Sequence, residues 1–186
     1  LAEVYLELTK SVYHELAEPV QQRADSLNNK AFSLWHLGIK KKAVACWDEA
    51  LTFDGTHPES VYNRGRVLWQ TGELEGDELA AKLLELKKVS AKGAAFLGLF
   101  YLARAQPFEA EMELASALDR STELQRESQL WAALGDCRMQ LERYDSASDA
   151  YSRSLQLSSQ DQEVQRRLRW ASSAAKPPEL DCYFPR

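Results

Sequence analysis

Apolar residues recur along this chain at intervals of three and four, with polar residues filling the positions between them. That spacing lays one apolar stripe along each helix, and the strict alternation that marks a half-buried strand is missing. With only eight Gly and six Pro in 186 residues, and few β-branched clusters, the elements predicted are all helices. One stretch stands apart. "AAFLGLFYLARA", residues 94–105, carries Arg104 as its single charge. It is too short to cross a bilayer, which takes about 20 apolar residues. A helix apolar nearly all the way round needs cover on more than one side.

A second pattern runs at longer range. Ala31 and Gly65, Leu34 and Leu68, Trp35 and Trp69, and Gly38 and Gly72 are each 34 residues apart; Gly65 to Gly98 is a step of 33 and Gly98 to Gly135 one of 37. An insertion in the polar stretch "DRSTELQRES" explains the longer step. Four helix-turn-helix units, about 24–57, 58–90, 91–127 and 128–161, predict a solenoid within 19–161. Small residues (Gly65, Gly98, Gly135, Ala43, Ala110, Ala147) allow the two helices of a unit to approach closely, and Trp47, Trp131 and Tyr151 fill the space between units. Such an array needs caps at its ends. Residues 162–175 read as a capping helix that buries Val164, Leu168 and Ala171 and turns Arg166, Arg167 and Arg169 to water. Residues 1–18 place Val4, Leu8, Val12 and Leu16 on one face, as a cap or as the last helix of an upstream unit, and Pro19 suits the first turn of the next helix. Pro177-Pro178 stops the last helix, leaving a tail at 176–186 whose Tyr183 and Phe184 either pack back onto the array or belong to a linker. The chain begins at Leu1 rather than Met, so a segment of something longer is expected.

These residues resemble the tetratricopeptide repeat family, whose units carry a bulky residue, Leu-Gly and an aromatic on the first helix, then Ala, an aromatic and Ala on the second. The fourth unit matches at Trp131, Leu134-Gly135, Tyr144, Ala147, Tyr151 and Leu155; the third at Leu97-Gly98, Tyr101, Ala110, Ala117 and Leu118. The first matches at Leu27, Ala31, Leu34, Gly38, Ala43, Trp47, Ala50 and Leu51. The second departs in its second helix, where Asp77 and Ala81 replace a small residue and an aromatic, and the proline that usually closes a unit is absent from all four. The resemblance implies an all-α right-handed superhelix and brings no enzyme activity. Some members bind acidic chaperone C-termini through Lys, Asn and Arg on successive first helices. Here Asn63 and Lys92 fit, but Asn28, Phe32 and Phe96 do not, so that ligand class is rejected.

Charge and composition narrow the function further. Net charge is −5, from 23 basic and 28 acidic residues, against the basic excess of a nucleic-acid binder. Lys40-Lys41-Lys42 and Arg166-Arg167 read as solvated helix faces. Without an 18-residue apolar run, no membrane contact is expected. Three widely spaced cysteines (Cys46, Cys137, Cys182) with no CxxC suit a reducing, cytoplasmic setting, and Cys46 and Cys137 read as small buried hydrophobes. His14, His36 and His57 are isolated, and His57 in "DGTHPE" reads as an exposed turn residue. "GELEGDE" puts carboxylates where a phosphate loop needs amides. No enzyme activity, metal or cofactor is expected.

What remains is the stripe beside the packing face of each first helix, which in such a superhelix lines a concave groove. It predicts a partner-binding set of Phe32, Trp35, Tyr62, Asn63, Arg66, Trp69, Phe96, Leu99, Leu102 and Met139. On this reading Leu97, Phe100 or Tyr101 serves packing, while Phe96, Leu99 and Leu102 face the groove. A groove lined this way calls for an occupant: a protein or peptide partner offering an apolar, amphipathic segment, or the chain's own termini or flanking domains. The function expected is a non-catalytic scaffold for a helical or extended peptide. The alternative is a regulatory segment of a larger multidomain signalling enzyme with kinase or WD-repeat modules.

Overall fold

The computed structural model describes residues 20–173, and among these every regular element is helical. They form α1 (Val20–His36), α2 (Lys40–Phe53), α3 (Pro58–Gln70), α4 (Gly76–Val89), α5 (Ala91–Ala103), α6 (Pro107–Arg120), α7 (Ser128–Gln140), α8 (Tyr144–Leu157) and α9 (Gln162–Ser172), with a 3-10 turn at Leu124–Arg126. The chain divides after Thr71 into two compact units, α1–α3 and α4–α9. The helix expected at 1–18, Pro19, the tail at 176–186 and Cys182 lie outside the described residues.

The all-α helical-repeat reading holds, and its period has a structural origin. Just after each of α1, α3, α5 and α7 one residue takes a left-handed conformation: Gly38 and Gly72 at φ 76°, Ala105 at 54° and Glu142 at 59°. Glycine adopts this region without cost, whereas a side chain is strained there. The second helix follows directly, with Pro107 opening α6 at a position whose N–H needs no helical partner.

In the first unit, α1 and α2 pack through Ala31, Ala43, Cys46 and Trp47, joined by Val67 of α3. His57 is fully buried rather than exposed. It caps α3: Nδ1 accepts the Ser60 N–H at 3.2 Å and the Ser60 hydroxyl at 2.8 Å. The proton therefore sits on Nε2, which donates to Asp25 Oδ1 of α1 at 2.9 Å. A polar turn sequence thus hides a buried pin between α1 and α3.

In the second unit, α5 packs on α4 and α6 and shares a core cluster with α7: Ala94, Ala95 and Leu102 lie with Leu114, Ala117, Leu130, Ala133 and Leu134. This is the cover that its even apolarity requires. The small-residue seats are tight. A Cβ at Gly98 would stand 2.7 Å from Leu114 Cγ, and one at Gly135 would stand 2.5 Å from the Tyr151 ring. The irregular α4 is a register shift. Ala43, Ala110 and Ala147 fall five residues after their left-handed turns, but five after Gly72 is Asp77, which is exposed and paired with Arg104. Helix α4 starts at Gly76, two positions later in its turn than the other second helices, and it buries Leu79 and Leu83.

The insertion predicted between the third and fourth units holds the 3-10 turn. Leu124 is buried there, Gln125 Nε2 donates to Leu118 O, and the Trp131 indole donates to Gln125 O, both at 2.9 Å. Finally α9 packs on α8, with Val164 and Ala171 buried beside Tyr151 and Ala147. Arg169, which lies 34 residues after Gly135, is exposed, so α9 offers no close seat of the Gly135 kind.

Candidate functional site

The expected site residues divide between the two units. In the first unit they lie on α1 and α3, whose adjacent faces are tied by one buried amide. Asn28 Oδ1 accepts the Trp47 indole N–H at 3.1 Å and the Asn63 amide at 3.0 Å. One and two turns further along α1 come Phe32, Trp35 and His36. Phe32 is 47% exposed, with its ring edge-on to His36 at 4.4 Å between centroids. Trp35 is half-buried, tilted against Trp47 at 6.3 Å, with Lys40 Nζ 5.2 Å above its ring. On α3, Asn63, Arg66 and Trp69 are half-buried. Tyr62, expected on the groove surface, is buried, and burial pushes its hydroxyl up to about 12; the Arg66 guanidinium, 5.8 Å above its ring, only partly offsets this.

In the second unit the expected apolar stripe is mostly interior. Leu102 is buried in the cluster formed by α5, α6, α7 and α8, and Leu99 packs partly buried against the same cluster; Phe96 is half-buried. The expectation that Leu99 and Leu102 stand clear of inter-helix packing is corrected: both join the cluster that α5 shares with its neighbours. Met139 is corrected too. It is buried in one cluster with Ala132, Tyr151, Val164 and Ala171, so the stripe of α7 is occupied by the capping helix α9.

Sequence reasoning missed the polar part of that closure. Asp136, on the same stripe, is buried and accepts the Tyr151 hydroxyl at 2.7 Å and the Arg167 guanidinium at 2.6 Å. Arg167, expected in water, is buried and also donates to Glu163 at 3.0 Å. Burial pushes the Asp136 carboxyl up to about 6 despite Arg167 and Tyr151, which favour its charged form. The signal was present in the spacing: Val164, Arg167, Leu168 and Ala171 follow the 3-and-4 rule of one helix face.

Among the described residues both cysteines are buried. Cys46 and Cys137 are buried free thiols, and burial pushes the Cys137 thiol far above its usual range, which disfavours the thiolate a nucleophile needs. Among the described residues no three His, Cys, Asp or Glu side chains converge on a possible metal position.

The architecture defines a class, the all-α helical-repeat protein. Within that class the resemblance read from the sequence stands, for residues 128–161 match the tetratricopeptide repeat family model. The crystal structure of MamA is similar in fold, at TM-score 0.56 and 16% identity over 83% of this chain and 82% of that one. A second MamA structure, from AMB-1, gives 0.55 and 20% over 81% of each chain. YrrB, described as a tetratricopeptide-repeat protein with an unusual peptide-binding site, gives 0.53 and 17% over 89% of this chain and 81% of its own. A comparison with curated protein sequences returned no match.

Proposed function

We propose that the chain is a non-catalytic protein-interaction scaffold and that its partner segment docks on the first-helix face of the α1–α3 unit. The observation that carries this reading is the open face of α1. Phe32 stands half in solvent beside His36, one turn from the part-buried Asn28–Asn63 hydrogen bond that ties α1 to α3. A half-exposed aromatic in a unit whose first-helix faces also carry Asn63 and Arg66 suits an apolar or amphipathic segment, with the ring as anchor and the polar groups setting orientation. The fold likeness to YrrB, itself described with a peptide-binding site, supports the class of function. The stripe on α7 is left out of the docking face because α9 already fills it.

The test uses peptides selected from a random library on the full chain, with affinities measured by calorimetry. Phe32→Ala and His36→Ala should each leave the melting temperature unchanged, and Phe32→Ala should weaken the selected peptides by at least about tenfold, the scale of an anchor residue. Peptides that bind both variants as tightly as the wild type would put the site elsewhere.

A further inference from the structure

The turn between α1 and α2 combines features that the scaffold function does not use. Gly38 reverses the chain, with its N–H donating to Trp35 O and the Ile39 N–H donating to Leu34 O, both at 2.9 Å. This firm turn holds two aliphatic side chains outward, Leu37 at 73% exposure and Ile39 at 41%. Directly behind them Lys40, Lys41 and Lys42 fan around the first turn of α2, all exposed, with no acidic residue and no capping side chain there. The nearest acids along the chain are Asp25 and Asp48, and these face His57 and Arg64. Residues 26–47 therefore hold four lysines and no acid, in a chain whose net charge is −5.

The three equivalent turns lack this combination. Gly72 is flanked by Glu73 and Glu75, Ala105 leads into Gln106-Pro107, and Glu142 carries its own charge. Read alone, the lysines are a solvated helix face; with Leu37 and Ile39 placed at the tip, they become half of a two-part anchor. Aliphatic side chains held outward on a turn can press into a deformable surface. Shallow apolar insertion joined to basic residues is the pairing that holds a protein on acidic lipid without a spanning segment. No described helix is long and apolar enough to span.

We propose that this turn is a docking tip for an anionic membrane surface, with Leu37 and Ile39 entering the boundary between headgroups and acyl chains and Lys40, Lys41 and Lys42 holding acidic headgroups. The experiment is co-sedimentation of the full chain with vesicles of phosphatidylcholine alone and of phosphatidylcholine with phosphatidylserine at about 30%, a composition chosen to give a strong negative surface potential. Binding should require phosphatidylserine and weaken as salt shortens the reach of the lysines. Replacing all three lysines by Ala should cost on the order of 100-fold, about fivefold for each. Leu37→Ser with Ile39→Ser should cost about tenfold through lost insertion. All these side chains are exposed, so melting curves should match the wild type. Absence of phosphatidylserine-dependent binding would overturn the proposal, as would binding that survives the triple lysine change or the paired serine change. Equal capture of polyglutamate, indifferent to the serine pair, would overturn it in favour of an acidic polypeptide site.

Discussion

Helices α1 and α7 open the first and fourth repeats and carry the same kind of stripe beside their packing faces, yet one stripe is open and the other closed. On α1, Phe32 and His36 reach solvent. On α7, Ala132, Asp136 and Met139 are buried with the side chains of α9, and the one carboxylate among them is matched by Arg167. The repeat pattern records how the two helices of a hairpin meet. Whether the next stripe is surface or core depends on the neighbour that stacks against it, and the period does not carry that information.

The largest expected effect breaks this comparison if it fails. Met139→Asp puts a charge into the α7–α8–α9 cluster and should cost more than about 3 kcal/mol, since a buried unpaired charge is among the most damaging changes. Phe32→Asp, at the open stripe, should stay within about 0.5 kcal/mol. Denaturant titration of both decides it; similar losses would mean the two stripes are equally buried.

Next in size is the closure itself. Arg167→Ala strands Asp136 and should cost about 3 kcal/mol at pH 7, and less at pH 5, where the carboxyl can take up a proton. Asp136 also sets a pH dependence. Its folded value of about 6 lies above the ordinary 3.8, so between the two the folded chain holds a proton that the unfolded chain has released. Its contribution to stability is therefore greatest below that window and declines as pH rises through it. Melting curves from pH 4 to pH 7 should show the margin of wild type over Asp136→Asn narrowing with pH. A widening margin would mean that pairing with Arg167 outweighs burial.

The smallest effect concerns the turns that follow the two helices. Gly38 after α1 is relaxed in the left-handed region, while Glu142 after α7 is strained there. Glu142→Gly should raise stability by up to about 1 kcal/mol, and Gly38→Ala should lower it by a similar amount. Thermal melts check both signs.

Much of the fold was legible because its causes are local. Gly98 and Gly135 mark seats where a Cβ would strike Leu114 or Tyr151, so their spacing reports hairpin geometry directly. The site was less legible because its determinants are not local. Leu102 and Met139 look alike whether a neighbour covers them or not. His57 sits in a turn-forming sequence, and the partner of its Nε2, Asp25, lies 32 residues earlier. Arg167 sat among arginines that suggested water, though its spacing with Val164 and Ala171 pointed inward.

Native-state thiol labelling reads most directly whether the stripe on α1 is open and that on α7 is closed by α9. Phe32→Cys and Ala132→Cys, each in the full chain with modified peptides mapped by mass spectrometry, place one probe on each stripe; the buried Cys46 and Cys137 serve as internal references. Cysteine at 32 should react as an exposed thiol. Cysteine at 132 should react at least about 100-fold more slowly, because labelling there waits for local opening of the α9 contact. Comparable rates at the two positions would contradict the account.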